Sequence, residues 1–152
     1  MRTLVLLACI AFVRTPALTA QDNAQVQSAR AELQADRTKI VADNLPLTEA
    51  EAQKFWPLYN EYRGRWSKLD DRALALVKDY AANYDAMSDQ KARKLIGEQL
   101  DIEEERLKLR RSYLGKFEKV LPGKKTARYY QIERKMDAVV ANETASLIPY
   151  VK

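Results

Sequence analysis

The stretch LTEAEAQKFWPLYNEYRGRWSKLDDRALALVKDYAANY, residues 47–84, decides how this chain folds. From Phe55 its apolar positions run 55, 59, 62, 66, 69, 73, 76 and 80, through Tyr59, Tyr62, Trp66, Leu69, Ala73, Leu76 and Tyr80. Steps of three and four return a side chain to one face of an α-helix, so this alternation predicts a helix packed along its length. Thr48 stands where an N-cap hydroxyl is wanted, and Glu51, three residues on, is placed to bond back to it as a capping box. Run from Thr48 to Tyr84 at 1.5 Å per residue, the helix would be about 55 Å long. Pro57 lies inside it, withholds a hydrogen bond from the carbonyl of Gln53 and predicts a kink in the first third.

Helices follow on both sides. Upstream, Val26, Ala29, Leu33 and Ile40 keep helical spacing over 23–44, and Leu45-Pro46 ends the run because a residue before proline is pushed out of the α region. Downstream, Met87-Ser88-Asp89 offers a turn and a new cap. Leu100, Leu107, Leu114 and Leu121 then recur at sevens beside Leu95, Ile102 and Leu109. The two rows flank a wide apolar arc, which predicts a third helix packed on two sides. Pro122-Gly123 closes it, and a fourth helix over 124–147 is expected to turn Tyr129, Ile132, Met136 and Val139 inward before Pro149 stops it. No segment carries the β-branched, period-two pattern of a strand. The expectation is an all-α fold: a long antiparallel helical hairpin flanked by shorter N- and C-terminal helices.

At the N-terminus, Met1-Arg2, an apolar run from Thr3 to Val13 and the small residues up to Ala20 have the order of a secretory signal. Residues 1–20 are therefore read as a signal peptide and 21–152 as a single helical domain, exported to a bacterial periplasm. The apolar run is too short to span a bilayer. Cleavage after Ala20 would remove Arg2, Arg14 and the lone Cys9, leaving 24 basic and 21 acidic side chains with no Cys and no His. That composition rules out disulfides, Cys/His metal sites, thiol nucleophiles and imidazole acid–base chemistry together. Neither an enzyme activity nor a cofactor is expected. Asp70-Asp71 and Glu103-Glu104-Glu105 do not change this, since neighbouring residues on a helix point about 100° apart and their carboxylates do not converge.

Leu47-Thr48-Glu49-Ala50-Glu51 resembles the LTxxQ motif that opens a long helix in the Spy/CpxP-like family of periplasmic chaperones and stress adaptors. The likeness extends over residues 45–148 in length and helix order, with a second Leu-Pro boundary at Leu121-Pro122 before the last helix. Glu51 stands where the motif has Gln, and Leu121-Pro122-Gly123-Lys124 replaces a second copy of it. The resemblance implies a helical homodimer that shields unfolded or partly folded envelope proteins without ATP, or an inhibitor acting on a membrane sensor protein. Metal-sensing relatives use His-rich ligand sets, which this chain lacks; a structural or metal-responsive envelope role would fall to carboxylates alone.

Two groups of side chains stand out as candidate contacts. Trp56, Tyr59, Tyr62 and Trp66 form an apolar, aromatic set able to hold client segments, because Trp and Tyr give large contact area at low entropy cost. Their spacing suits a helix core equally well, with Trp56 set apart at the edge of the stripe. The second group is basic: Arg106, Arg110, Arg111, Lys116, Lys119, Lys124, Lys125 and Arg128, with Lys108, face only Glu118 over 106–128, a net of +8. Such a stretch attracts acidic partners at long range, or it is a solvated face stitched by pairs such as Glu104–Lys108. Nucleic acid is not an expected partner of an exported chain with this modest total charge. Inside the apolar arc of the third helix, Gln99, Glu103, Arg106 and Arg110 admit two readings: Glu103 pairing with Arg106 and Arg110, or a cluster facing a dimer interface or client groove.

Overall fold

A computed structural model describes residues 34–151, together with Glu32. The chain divides into one unit ending at Asp36 and a second from Arg37 onward, and it is the second that is described below. The expected signal peptide and the beginning of the first helix lie outside the described residues.

The fold is all-α. Helix α1 covers 34–44, α2 Glu49–Asn83, α3 Asp89–Glu118 and α4 Gly123–Leu147, with a single 3₁₀ turn at Tyr84–Ala86 between α2 and α3. Local chemistry sets these limits. The hydroxyl of Thr48 accepts from the Glu51 N–H at 3.3 Å and the Glu51 carboxylate accepts from the Thr48 N–H at 2.7 Å, so the capping box is closed in both directions. Ser88 caps α3 by accepting from the Lys91 N–H at 3.2 Å. α2 stays one helix through Pro57.

Ion pairs and hydrogen bonds between α2 and α3 show their relative direction. Glu61 meets Tyr113, Asp70 meets Arg106, Arg72 meets Glu105 and Glu98, and Asp79 meets Lys91. Partners descend α3 as they climb α2, so the two helices lie antiparallel. α4 turns back beside them: Lys125 at its start pairs with Glu51, and Pro149 beyond its end accepts from the Tyr80 hydroxyl.

The core is concentrated where α2 begins, α3 ends and α4 starts. Val41, Leu45, Phe55, Tyr59, Tyr62, Trp66, Tyr113, Phe117, Leu121 and Tyr129 make one buried cluster. Its centre is aromatic: the Phe117 ring lies tilted 4.6 Å from that of Tyr129 and 5.7 Å from that of Phe55, and Phe55 and Tyr129 meet edge-on, geometries that ring quadrupoles favour. The α2 seam expected from spacing is buried as far as Leu69; Ala73, Leu76 and Tyr80 beyond it are only partly covered.

Two expectations about faces are corrected. On α3, Leu95, Ile102, Tyr113 and Phe117 are buried against α2, but Leu100, Leu107 and Leu114 are 59%, 48% and 40% exposed. α3 therefore packs on α2 along its length and on α4 near its end, and among the described residues no helix covers the row of Leu100, Leu107 and Leu114. On α4, Tyr129 is buried and Ile132 and Met136 pack half-buried against the core, but Val139 is exposed and Thr126 and Glu133 are buried as well. Turning Glu133 inward adds an ion-pair network, described next, beside that apolar face.

Candidate partner-binding surface

Glu133 is 5% exposed and sits among cations from two other helices. Its Oε2 lies 2.7 Å from Arg37 of α1 and 3.7 Å from Arg63 of α2. Arg37 also bonds Asp137 at 2.7 Å, and Asp137 in turn accepts from Arg110 of α3 at 2.7 Å. One network thus ties all four helices. Burial holds the Glu133 carboxyl above the usual carboxylate range, against the pull of Arg37 and Arg63. Burial likewise raises Asp70 despite its bond to Arg106, and it raises the Tyr129 and Tyr62 hydroxyls.

The aromatic candidates divide. Tyr59, Tyr62 and Trp66 are buried at the heart of the core and offer nothing to a partner. Three guanidiniums, those of Arg63, Arg106 and Arg110, lie 4.7–5.8 Å from the Trp66 ring. Cations over a ring face are held by its quadrupole, so Trp66 organises charge within the fold. Trp56 is half-buried, edge-on to Phe55 and Tyr59.

The basic candidates divide too. Arg106 is paired with Asp70, Arg110 with Asp137, Lys116 with Glu61 and Lys125 with Glu51, so half of the eight hold the helices together. The expected pairing of Glu103 with Arg106 and Arg110 is corrected: Glu103 accepts from Gln99, because both arginines reach carboxylates on other helices. The Glu104–Lys108 pair forms as its spacing requires. Arg111, Lys119, Lys124 and Arg128 are exposed, and Arg128 donates to the backbone carbonyl of Asn44, fixing the end of α1 against α4.

That contact closes one end of an open groove of about 560 Å³ between α1 and α4. Its apolar lining comes from Ile40, Ile132 and Met136, and its polar edge carries Lys124, Arg128 and Lys135. Ile40 is 41% exposed, and Val139, on the same face of α4 as Ile132 and Met136, is 57% exposed. Sequence reasoning named Ile132, Met136 and Val139 as an inner face; Ile132 and Met136 do pack half-buried against the core, while Val139, one turn further on, is exposed.

Among the described residues no cluster of three or more His, Cys, Asp or Glu side chains could hold a metal ion, and no helix is long and apolar enough to cross a membrane. Comparison with protein-family models, with curated proteins and with solved structures finds no match.

Proposed function

We propose that this protein is an ATP-independent, chaperone-like binder of unfolded or partly folded envelope proteins, exported to the periplasm and working in the manner of the Spy/CpxP type. The observation that carries this reading is the α1–α4 groove, an apolar strip of Ile40, Ile132 and Met136 edged by three cations, with exposed Val139 further along the same face of α4. An unfolded chain offers short apolar runs flanked by charge. Apolar contact supplies affinity without demanding a particular sequence, and a cationic edge speeds capture and favours segments with acidic flanks. Lys124, Lys135 and Arg128 are exposed, and among the described residues none forms an ion pair; Arg128 keeps its terminal guanidinium nitrogens at the groove edge while its Nε holds the Asn44 carbonyl.

The test is suppression of aggregation of a chemically unfolded model protein at equimolar amounts. Wild-type protein is expected to suppress it. Ile40→Ser and Val139→Glu, both at exposed positions and so compatible with an intact fold, are expected to weaken suppression. Failure of the wild type to suppress, or full activity in the Ile40→Ser/Val139→Glu double variant, overturns the reading.

A further inference from the structure

The half of α2 away from the core ends at a second apolar slot, and the chain's own C-terminal segment is seated in it. Val77, Tyr80 and Ala81 of α2 and Tyr84 just beyond its end line one side, with the Tyr80 and Tyr84 rings 5.8 Å apart. Steps of three and four put these side chains on one helix face. Leu147, Ile148 and Pro149 close over them, and the Tyr80 hydroxyl donates to the Pro149 carbonyl at 2.7 Å.

Local chemistry shapes the segment for that seat. α4 is exposed at every position from Ala138 to Leu147, so burial of the helix itself does not carry the chain there. The residue before a proline is pushed out of the α region, and Ile148 accordingly leaves the helix at φ −96° and ψ 113°. Exposure falls from 83% at Leu147 to 36% at Ile148 and returns to 95% at Tyr150. Ile148 is therefore the side chain that enters, and Pro149 is the residue that holds it extended.

Two features open this seat to other segments. The hydrogen bond from Tyr80 reaches a main-chain carbonyl, which every residue carries, so the slot reads an extended backbone and one apolar side chain and little else. The tail also fills the slot incompletely. About 200 Å³ stays open between it and α2, so the lining atoms there lack partners, and a segment that fills the space better gains contacts that Ile148 does not make. One hydrogen bond and one partly covered side chain hold by virtue of the tether, since a linked segment acts at about millimolar effective concentration.

We infer that the far end of α2 is a binding site for a short extended peptide carrying a large apolar residue followed by proline, and that Leu147-Ile148-Pro149 occupies it in cis as a displaceable self-ligand. Such a tail sets a threshold. A partner segment enters only when its affinity and concentration exceed what the tether supplies. The slot shares no lining residue with the α1–α4 groove, so neither reading depends on the other.

Fluorescence anisotropy of a labelled peptide with the sequence of residues 145–152 tests this on the full chain. Leu147→Asp/Ile148→Asp should detach the tail with unchanged helical circular dichroism, because both positions lie outside the core. With the tethered tail competing at about 1 mM effective concentration, wild-type protein should bind the peptide about 100-fold more weakly than a detached variant whose Kd is about 10 μM. In the detached background, Ala81→Lys, at an exposed position of the slot, should abolish binding. Tyr80→Phe keeps the ring, removes the donor and should weaken binding by about 2- to 12-fold, the share of one hydrogen bond. A peptide with Phe in place of the isoleucine should bind more tightly than the parent. No binding by the detached variant at ~1 mM peptide, the weak end of measurable affinity, overturns the inference, as does equal affinity of the wild-type and detached proteins. Self-association of the wild type that disappears in the detached variant would seat the tail on a neighbouring chain and overturns occupancy in cis. Ile40→Ser/Val139→Glu should leave peptide binding unchanged, which separates this slot from the groove.

Discussion

Removing the Glu133 side chain should unfold this protein far more readily than its small volume suggests. Its carboxylate lies 2.7 Å from Arg37 and 3.7 Å from Arg63, whose side chains are only 11% and 9% exposed. In Glu133→Ala, Arg37 would keep only Asp137, which already serves Arg110, and Arg63 would lose its carboxylate on α4. Stranding buried charge by deleting one partner costs about 3–5 kcal/mol, against roughly 1 kcal/mol for an ordinary surface change. With a urea slope of about 2 kcal/mol per molar, the unfolding midpoint followed by circular dichroism should fall by about 1.5–2.5 M. Glu133→Gln keeps the volume and an acceptor for Arg37, so its loss should be smaller. Replacing the pair together, Arg37→Met with Glu133→Leu, should recover much of the deficit, since the desolvation of both charges disappears along with their attraction. The pH dependence has a definite sign. Because burial raises the folded-state pKa of Glu133, its contribution is fully present below the unfolded-state value and is lost as pH rises through the folded one. Stability of Glu133→Gln relative to wild type should therefore improve with increasing pH over that window. A midpoint shift below about 0.5 M for Glu133→Ala would refute the view that this network clamps the helices together.

Two smaller perturbations probe the ends and the seam. Thr48→Ala opens the capping box at the start of α2 and should cost about 1 kcal/mol in urea unfolding, with Glu51 losing one of the bonds that hold its carboxyl below the usual range. Tyr113 donates to Glu61 at 2.6 Å, and that bond is the main reason the Glu61 carboxyl is held low. The stabilisation it confers is present above the unfolded-state pKa of Glu61 and lost as pH falls through the depressed folded value. Tyr113→Phe should return the Glu61 titration toward the ordinary range in an NMR pH series; an unchanged Glu61 would show that the bond is absent in solution. The Tyr113 hydroxyl itself, pushed up to about 12 chiefly by burial, should be among the late-ionising phenols of the wild type.

Much of this architecture is legible in local sequence because its causes are local. Thr48 and Glu51 cap α2 within one turn, Ser88 caps α3, and the threes and fours from Phe55 to Leu69 mark the residues that are buried. The Glu104–Lys108 pair needs only helical spacing. Periodicity states that side chains share a face; it does not state what lies against that face. That is why Leu100, Leu107 and Leu114 read as packed and are found exposed, and why Val139 read as inward and points out. The half of the basic set that is consumed by ion pairs was likewise illegible, since Arg106–Asp70 and Arg110–Asp137 join residues on different helices.

What the residues determined unaided is a set of amphipathic helices, their limits, and a side-chain repertoire without His whose lone Cys lies in the leader-like segment. Tertiary structure alone decided the rotation of each helix about its axis. That rotation follows from burying Glu133 among Arg37 and Arg63, residues 96 and 70 positions away, where desolvation and pairing are settled only once three helices meet. With α4 turned to bring Glu133 inward, Ile132 and Met136 sit half-buried between the core and an open groove, and Val139 is left exposed. With α2 served by one flank of α3, the leucine row on the other is left facing outward.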